Sequence, residues 1–186
     1  MDRKKLIEEL FKGGEDGKEK KSLKEIKEKI LHYEQAHYEI MTLSEDEVDY
    51  RIFRVIAKKL KEELGDQANK IKEKILEATY NYCTETVSEV NATYNDMETK
   101  IRHIPENERE LIATKNFIAG SPAKVEELTE VLKEVNRHFL MLEEFSYMYQ
   151  EHDIDAFWYM KIWPIKIQAA LTEGKNTIAE KNEKFS

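Results

Sequence analysis

One stretch of the sequence has the ligand spacing of a metal site. Glu34 and His37 are three residues apart, and two such Glu-x-x-His pairs with two further glutamates build the di-iron site of some four-helix bundles. A second pair is absent, because Glu134 and His138 are four residues apart. A chain with 38 acidic residues is expected to contain one such match by chance. We therefore predict that His37 is a half-buried helix residue and that the chain binds no metal.

Two other stretches invite a chemical interpretation. Cys83 is the one thiol of the chain, but a reactive thiol needs a base or a positive charge nearby, and its sequence neighbours TYNYCTETV offer neither. Gly17-Lys18 lacks the earlier glycine and the following Ser or Thr of a phosphate-binding loop, since Lys12 and Glu19 occupy those positions. We predict that Cys83 packs as a small apolar residue. No catalytic or cofactor-binding residue is assigned.

The composition favours helices and argues against two classes of partner. Charged residues make up 37% of the chain and hydrophobic ones 40%, with six Gly and three Pro, which is typical of helical bundles and coiled coils. The net charge of -8 disfavours binding to nucleic acid, which depends on clustered Lys and Arg. A single cysteine and the lack of a long apolar run favour an intracellular protein without a membrane span. We predict no nucleic-acid partner and no membrane partner.

The N-terminal residues resemble a separate element. Four apolar residues share one face of a short helix predicted over 2–12, which ends at a glycine pair: Leu6, Ile7, Leu10 and Phe11. The polar, glycine-bearing stretch GGEDGKEKKS that follows is typical of a flexible link. We therefore divide the chain into a detachable N-terminal helix and link over 1–21 and a helical bundle over 22–186.

The next elements are indicated by a cap and by apolar periodicity. Ser22 and Glu25 have the spacing of a capping box, which predicts a helix from there to about Leu43. RIFRVI alternates apolar and polar residues and predicts a brief extended segment. From about Ala57 to Arg102 only Gly65 interrupts the helical pattern. This segment is either two helices joined near Gly65 or one helix of about 70 Å.

The prolines predict where the later helices begin and end. Pro105 follows the long helix, and Ser121-Pro122 resembles the start of a new helix after Gly120. An acidic break over 153–155 precedes a short helix over 154–161, and Pro164 is suited to the first turn of a last helix over 164–184. The apolar seams together predict an all-α fold, an elongated antiparallel helical bundle with long coiled-coil-like helices.

Large aromatic residues are concentrated between positions 139 and 163. Five residues in this region or directly after it are structural or interface candidates: Phe157, Trp158, Trp163, Pro164 and Ile167. The rings either form a local core that anchors a helix turnaround or present a surface to a partner helix, where Trp and Tyr are enriched. We expect Trp158 and Trp163 to anchor the turnaround and Pro164 to begin the next helix.

The order of motifs resembles the tail region of axonemal dynein heavy chains, the segment that leads toward the linker of the motor. The likeness is carried by residues 105–171, PENERELIATKNFIAGSPAKVEELTEVLKEVNRHFLMLEEFSYMYQEHDIDAFWYMKIWPIKIQAAL. The motifs are a proline before the acidic turn with Glu110-Leu111, the run Met141-Leu142-Glu143-Glu144-Phe145, the acidic break at Asp153 to Asp155, and Trp163-Pro164 with Ile167 three residues on. Upstream, RIFRVIAKKLKEEL resembles the family's entry into its long helix, and the likeness extends over about residues 22–180.

The resemblance implies a structural, force-transmitting fragment of a motor protein whose ATP sites and microtubule-binding stalk lie elsewhere. It implies a location in the cytoplasm and cytoskeleton, at the axoneme of a cilium or flagellum. The implied partners are other parts of the same heavy chain, dynein tail subunits and neighbouring heavy chains. We expect no enzymatic activity from the segment itself. A freestanding helical-bundle or coiled-coil adaptor that mediates protein–protein interaction is the alternative.

Overall fold

The described residues form four long helices. The computed structural model describes residues 6–12, 21–43, 47–50, 53–149 and 151–185. The helices are α1 (Leu23–Thr42), α2 (Lys58–Arg102), α3 (Glu108–Glu144) and α4 (Glu151–Phe185), preceded by a π-helical turn at Glu8–Lys12. The predicted all-α fold class is confirmed. Within the described ranges, no helix is long and apolar enough to cross a membrane.

The chain divides into two compact units. Unit 1 comprises residues 1–82 and 140–147, and unit 2 comprises residues 83–139 and 148–186. Helices α2 and α3 each contribute residues to both units. The predicted link around Gly17 and Lys18 lies outside the described residues.

Unit 1 contains α1 and the first half of α2. The predicted capping box begins α1: the Ser22 amide donates to the Glu25 carboxylate at 2.7 Å, and the Glu25 amide donates to the Ser22 hydroxyl at 3.3 Å. Helix α1 runs antiparallel to α2, with His37 against Gly65 and Glu34 against Lys72. Helix α2 continues through Gly65, so the single-helix alternative is the correct one.

The N-terminal segment packs into unit 1. Its four apolar residues are buried, and the Phe11 ring stacks on Tyr82 with the ring centroids 4.1 Å apart. The Lys21 amide also donates to the Leu10 carbonyl at 3.1 Å. The expectation of a detachable helix is therefore wrong, because its apolar face is part of the core of unit 1.

A short antiparallel hairpin connects α1 to α2. Its strands are β1 (Glu47–Tyr50) and β2 (Phe53–Ile56), in a register that pairs Glu47 with Ile56 and Tyr50 with Phe53. The extended segment predicted from the alternation of RIFRVI corresponds to β2. The two strands form the one sheet of the described chain.

Unit 2 is a three-helix bundle of up-down-up topology. Lys100 of α2 lies over Phe117 of α3, and Phe139 of α3 packs on Phe157 of α4. Consecutive helices therefore run antiparallel, as the sequence predicts. The second half of α2 and α4 are parallel, because Asn91 meets Ala156 while Arg102 meets Glu173.

Helix α3 continues through Pro122, so the predicted helix start at Ser121 is wrong. The Ser121 hydroxyl donates back to the Phe117 carbonyl at 2.8 Å, which is a bond within a helix and not a cap. Proline has no amide to donate to the carbonyl of Ile118. Ile118 and Ser121 are buried before the proline, and Leu128 is buried after it. This buried stripe continues past Pro122 and stabilises the helix across it.

Pro164 likewise lies in the interior of its helix, α4. Pro164 lies within Glu151–Phe185, so the predicted short helix and the predicted start at Pro164 are both wrong. The buried residues Met160, Trp163 and Ile167 follow each other by three and four positions and form one stripe that passes the proline. Burial of that stripe outweighs the local preference of proline for a first turn.

The turn between α3 and α4 lies before the predicted acidic break. Ser146 has a φ of 53°, its amide donates to the Glu143 carbonyl at 2.9 Å, and the Tyr147 amide donates to the Leu142 carbonyl at 3.0 Å. These are the two hydrogen bonds of a Schellman helix end. The acids at 153–155 lie near the start of α4, where carboxylates interact favourably with the helix dipole.

Two glycines in helices make a matched pair for testing the packing of unit 2. A Cβ at Gly174 would lie 2.8 Å from Ile118 Cδ1 and 2.9 Å from Ile101 Cγ2, whereas a Cβ at Gly120 would have no atom within 4 Å. Both changes to alanine remove the helix penalty of glycine, about 1 kcal/mol. We expect Gly174→Ala to destabilise the protein by about 1 to 2 kcal/mol through overpacking, and Gly120→Ala to stabilise it by about 1 kcal/mol.

Urea unfolding followed by circular dichroism measures both effects. Equal stabilisation by the two substitutions would show that α4 does not approach α2 and α3 closely at Gly174.

Candidate interaction site

Four of the five predicted site residues lie on or beside the inner face of α4. Trp163 and Ile167 are buried, Phe157 and Pro164 are partly buried, and Trp158 is 58% exposed. Trp158 and Trp163 therefore point to opposite sides of the helix. The expectation that both tryptophans anchor a core turnaround is wrong for Trp158, because five positions along a helix turn the side chain by about 140°.

Trp163 is the centre of a stacked group. Its ring lies parallel to that of Tyr94 on α2, with centroids 5.4 Å apart and an interplanar angle of 9°. The Lys166 ammonium lies 4.4 Å from the Trp163 centroid, a favourable cation–π distance. The indole N–H is buried without a hydrogen-bond acceptor among the described residues. Shape and stacking, more than hydrogen bonding, therefore hold this ring.

The buried environment of the stack also changes the pKa of the Tyr94 phenol. Burial raises the pKa of Tyr94, and the neighbouring Thr129 hydroxyl partly offsets this. The Tyr94 ring therefore remains a neutral phenol over the whole physiological pH range. No sequence motif indicated that the partner of Tyr94 would be Trp163.

A chain of ion pairs runs beside the stack and connects α2 to α4 twice. Lys166 Nζ lies 2.7 Å from Glu98 Oε2, Arg102 Nε lies 3.0 Å from Glu98 Oε1, and Arg102 Nη1 lies 2.8 Å from Glu173 Oε2. The Glu98 side chain is only 16% exposed. Its pKa is lowered, chiefly because Lys166 and then Arg102 hydrogen-bond to the carboxylate. No sequence motif indicated these residues.

Phe157 belongs to a second aromatic group near the start of α4. Its ring meets Phe139 of α3 edge-on, with centroids 4.7 Å apart, and the Lys161 ammonium lies 4.4 Å above it. The Tyr149 hydroxyl donates to the Phe139 carbonyl at 2.9 Å. These contacts hold the entry into α4 against α3, which is the local core that the sequence predicted for this region.

A shallow groove of about 290 Å³ lies beside Pro164, between α3 and α4. Residues of both helices line it: Thr129, Leu132, Lys133, Asn136, Met160, Lys161 and Pro164. Its wall is mixed, with two lysines and no acidic side chain. This surface suits contact with another macromolecule better than enclosure of a small molecule.

His37 and Cys83, which were considered above as a metal ligand and a nucleophile, both make packing contacts or hydrogen bonds within the fold. His37 Nδ1 lies 2.8 Å from the Gly65 carbonyl, to which it donates, and the ring is half-buried as predicted. Cys83 is fully buried, and burial raises the pKa of its thiol. Across the described ranges, no group of three or more His, Cys, Asp or Glu is arranged to hold a metal ion.

The chain was also compared with known proteins. No protein-family model matches it, and no curated protein is significantly similar to it.

Trp163 and Trp158 allow a matched test of the inner and outer faces of α4. Trp163→Ala is expected to destabilise the protein by about 3 to 5 kcal/mol, because it empties a buried, stacked position. Trp158→Ala is expected to change stability by less than about 1 kcal/mol, because the ring is exposed. Thermal unfolding of both variants measures the difference. An unchanged melting temperature for Trp163→Ala would contradict the stacked core and favour a partner-binding surface at that ring.

Glu98→Gln is expected to reduce the acid sensitivity of the protein. Since the folded pKa of Glu98 is lowered, its stabilisation is present above the ordinary glutamate pKa of about 4.3 and is lost as the pH falls through the folded value. Urea unfolding at about pH 7 and about pH 3 should therefore show a smaller loss for Glu98→Gln than for the wild type.

The control is Glu127→Gln, whose carboxylate pairs with Lys124 on its own helix. That variant should retain the acid loss of the wild type. Identical acid losses for Glu98→Gln and the wild type would show that the ion-pair chain does not contribute to the stability of unit 2.

Proposed function

We propose that this chain is a structural and force-transmitting segment of the tail of an axonemal dynein heavy chain. The observation that carries the proposal is the order of motifs over 105–171, from Glu110-Leu111 through the run at Met141 to Trp163-Pro164. The all-α fold is consistent with a helical tail. In this role the segment supports motor assembly and ciliary or flagellar motility without a catalytic site of its own.

The contacts between α2 and α4 support a mechanical role. These parallel helices are tied at four successive levels: by Asn91 to Ala156, by Tyr94 to Trp163, by Glu98 to Lys166 and by Arg102 to Glu173. Sliding one helix along the other would break all four contacts together. Contacts that must break together resist shear better than the same contacts broken one after another, which favours transmission of load along unit 2.

The proposal includes a location and a set of partners. The segment would lie in the cytoplasm and cytoskeleton, at the axoneme of the cilium or flagellum. Its neighbours would be other parts of the same heavy chain, dynein tail subunits and adjacent heavy chains. The ATP sites and the microtubule-binding stalk of the motor would lie outside it, so the isolated segment is not expected to hydrolyse ATP.

The first experiment measures the size and location of the native polypeptide. An antibody raised against the recombinant chain should detect a very large polypeptide that co-sediments with axonemes, because a heavy-chain tail is part of a much longer protein. Adsorbing the antibody with the recombinant chain beforehand is the control and should remove the signal.

A small soluble polypeptide in the same experiment would instead support the adaptor alternative. A band near 22.0 kDa that stays in the soluble fraction would overturn the tail proposal and favour a freestanding helical-bundle adaptor. Self-association of that small polypeptide would then be the property to measure, because exposed helical seams of an adaptor bind other helices.

A further inference from the structure

The outer face of α4 carries an exposed apolar seam. Trp158, Ile162 and Ile165 are 58%, 54% and 76% exposed, and Ala169 on the same face is exposed as well. We call these four residues the α4 seam. Their steps of four, three and four positions align them on one line of the helix. The seam faces away from the buried stripe of Met160, Trp163 and Ile167.

The spacing of the seam is that of a helix–helix contact. Alternating steps of three and four keep apolar residues in line with a partner helix, which inserts its own side chains between them. Single exposed apolar residues are common on protein surfaces. A line of three large ones at this spacing, on a helix whose opposite face is already packed, is instead typical of an interaction surface.

The charges on the two flanks of the seam differ. Lys166 and Glu173 lie on one flank, and both are already paired within unit 2, with Glu98 and Arg102. Lys161, Gln168 and Lys175 lie on the other flank and are exposed. Among the described residues, Lys161 contacts the Phe157 and Trp158 rings but no carboxylate, and Lys175 has no ion pair. Within the described part of the chain, this second flank therefore carries two positive charges without an acidic partner.

These flanks disfavour a second copy of the chain as the partner. In a parallel pair of α4 helices, Lys161 of one copy would face Lys166 of the other, because flank residues five positions apart meet across such a pair. In an antiparallel pair aligned on the seam, whose centre lies between Trp163 and Pro164, Lys161 would face the uncharged Gln168 of the other copy. Neither arrangement gives Lys161 an acidic partner, and edge charges determine the choice of partner.

We propose that the α4 seam docks one amphipathic helix of another polypeptide segment, whose apolar stripe is flanked by acidic residues. The apolar stripe would cover Trp158, Ile162 and Ile165, and the acidic residues would pair with Lys161 and Lys175. The inference does not rest on the motor-tail proposal, since it follows from the seam and its flanks alone. The size and location of the native polypeptide therefore test a different claim.

Two synthetic helical peptides of about three heptads test the proposal. Both have leucine along one stripe; one has glutamate on the flanks of that stripe and the other has lysine. The fluorescence anisotropy of each labelled peptide is measured while the full chain is titrated in at low salt. The glutamate peptide is expected to bind about tenfold more tightly than the lysine peptide, or better, and added salt should weaken that binding.

Three variants of the full chain locate the binding surface. Ile165→Asp should weaken binding of the glutamate peptide by about tenfold or more. The matched control is Ile112→Asp, a change at a 53% exposed isoleucine on α3, which should leave binding unchanged. Lys161→Glu combined with Lys175→Glu should reverse the preference toward the lysine peptide. Circular dichroism confirms that each variant is folded before it is titrated.

Three results would overturn the proposal. One is binding of neither peptide, and another is equal binding of both at low salt. The third is self-association of the chain that Ile165→Asp abolishes, measured by sedimentation, which would assign the seam to a second copy.

Discussion

Burial of one continuous stripe along α4, across Pro164, is the constraint on which the rest of unit 2 depends. An interior proline costs a helix about 3 kcal/mol. Burying an aromatic side chain with about 200 Å² of surface stabilises the folded state by about 5 kcal/mol, at about 25 cal/mol per Å². Trp163 directly precedes the proline and stacks on Tyr94. The cost of the interior proline and the stabilisation from burying the tryptophan ring therefore arise at neighbouring residues, and the stabilisation is the larger of the two.

The position of Trp163 determines what the neighbouring residues can do. With that ring against α2, Lys166 one turn later reaches both the ring and Glu98, and Glu173 two turns further reaches Arg102. Gly174 then comes close to Ile101 and Ile118. The part of α4 from Lys166 to Gly174 thus lies against α2 and α3 at distances that a shift of one residue would destroy.

The same constraint also produces the outer face of α4. A helix whose inner stripe passes through Met160, Trp163 and Ile167 must present Trp158, Ile162 and Ile165 on the other side. The two lysines that touch aromatic rings have different roles. Lys166 is held by Glu98, while Lys161 lies over Phe157 and Trp158 at the edge of the exposed seam. Fold and proposed docking surface are therefore two consequences of one helix orientation.

Local signals in the sequence predicted much of the fold. Ser22 and Glu25 cap α1 because the capping box involves only four neighbouring residues. The helical pattern from about Ala57 to Arg102, interrupted only at Gly65, corresponds to α2, and the alternation around Arg54 corresponds to β2. The sequence also located the aromatic cluster, in which Trp163 stacks on Tyr94 and Phe157 contacts Phe139.

Where the predictions were wrong, a tertiary contact outweighed a local preference. Pro122 and Pro164 resemble helix starts, but each lies within a helix whose buried stripe continues past it. Ser146 ends α3 in a left-handed conformation that glycine more often adopts, so the sequence had no strong signal for that turn. The sequence by itself determined the helical class, the cap of α1 and the residues available for a seam. Only the tertiary structure decided which tryptophan is buried and which is exposed, because that depends on where α2 and α3 cover α4, and no spacing within α4 contains that information.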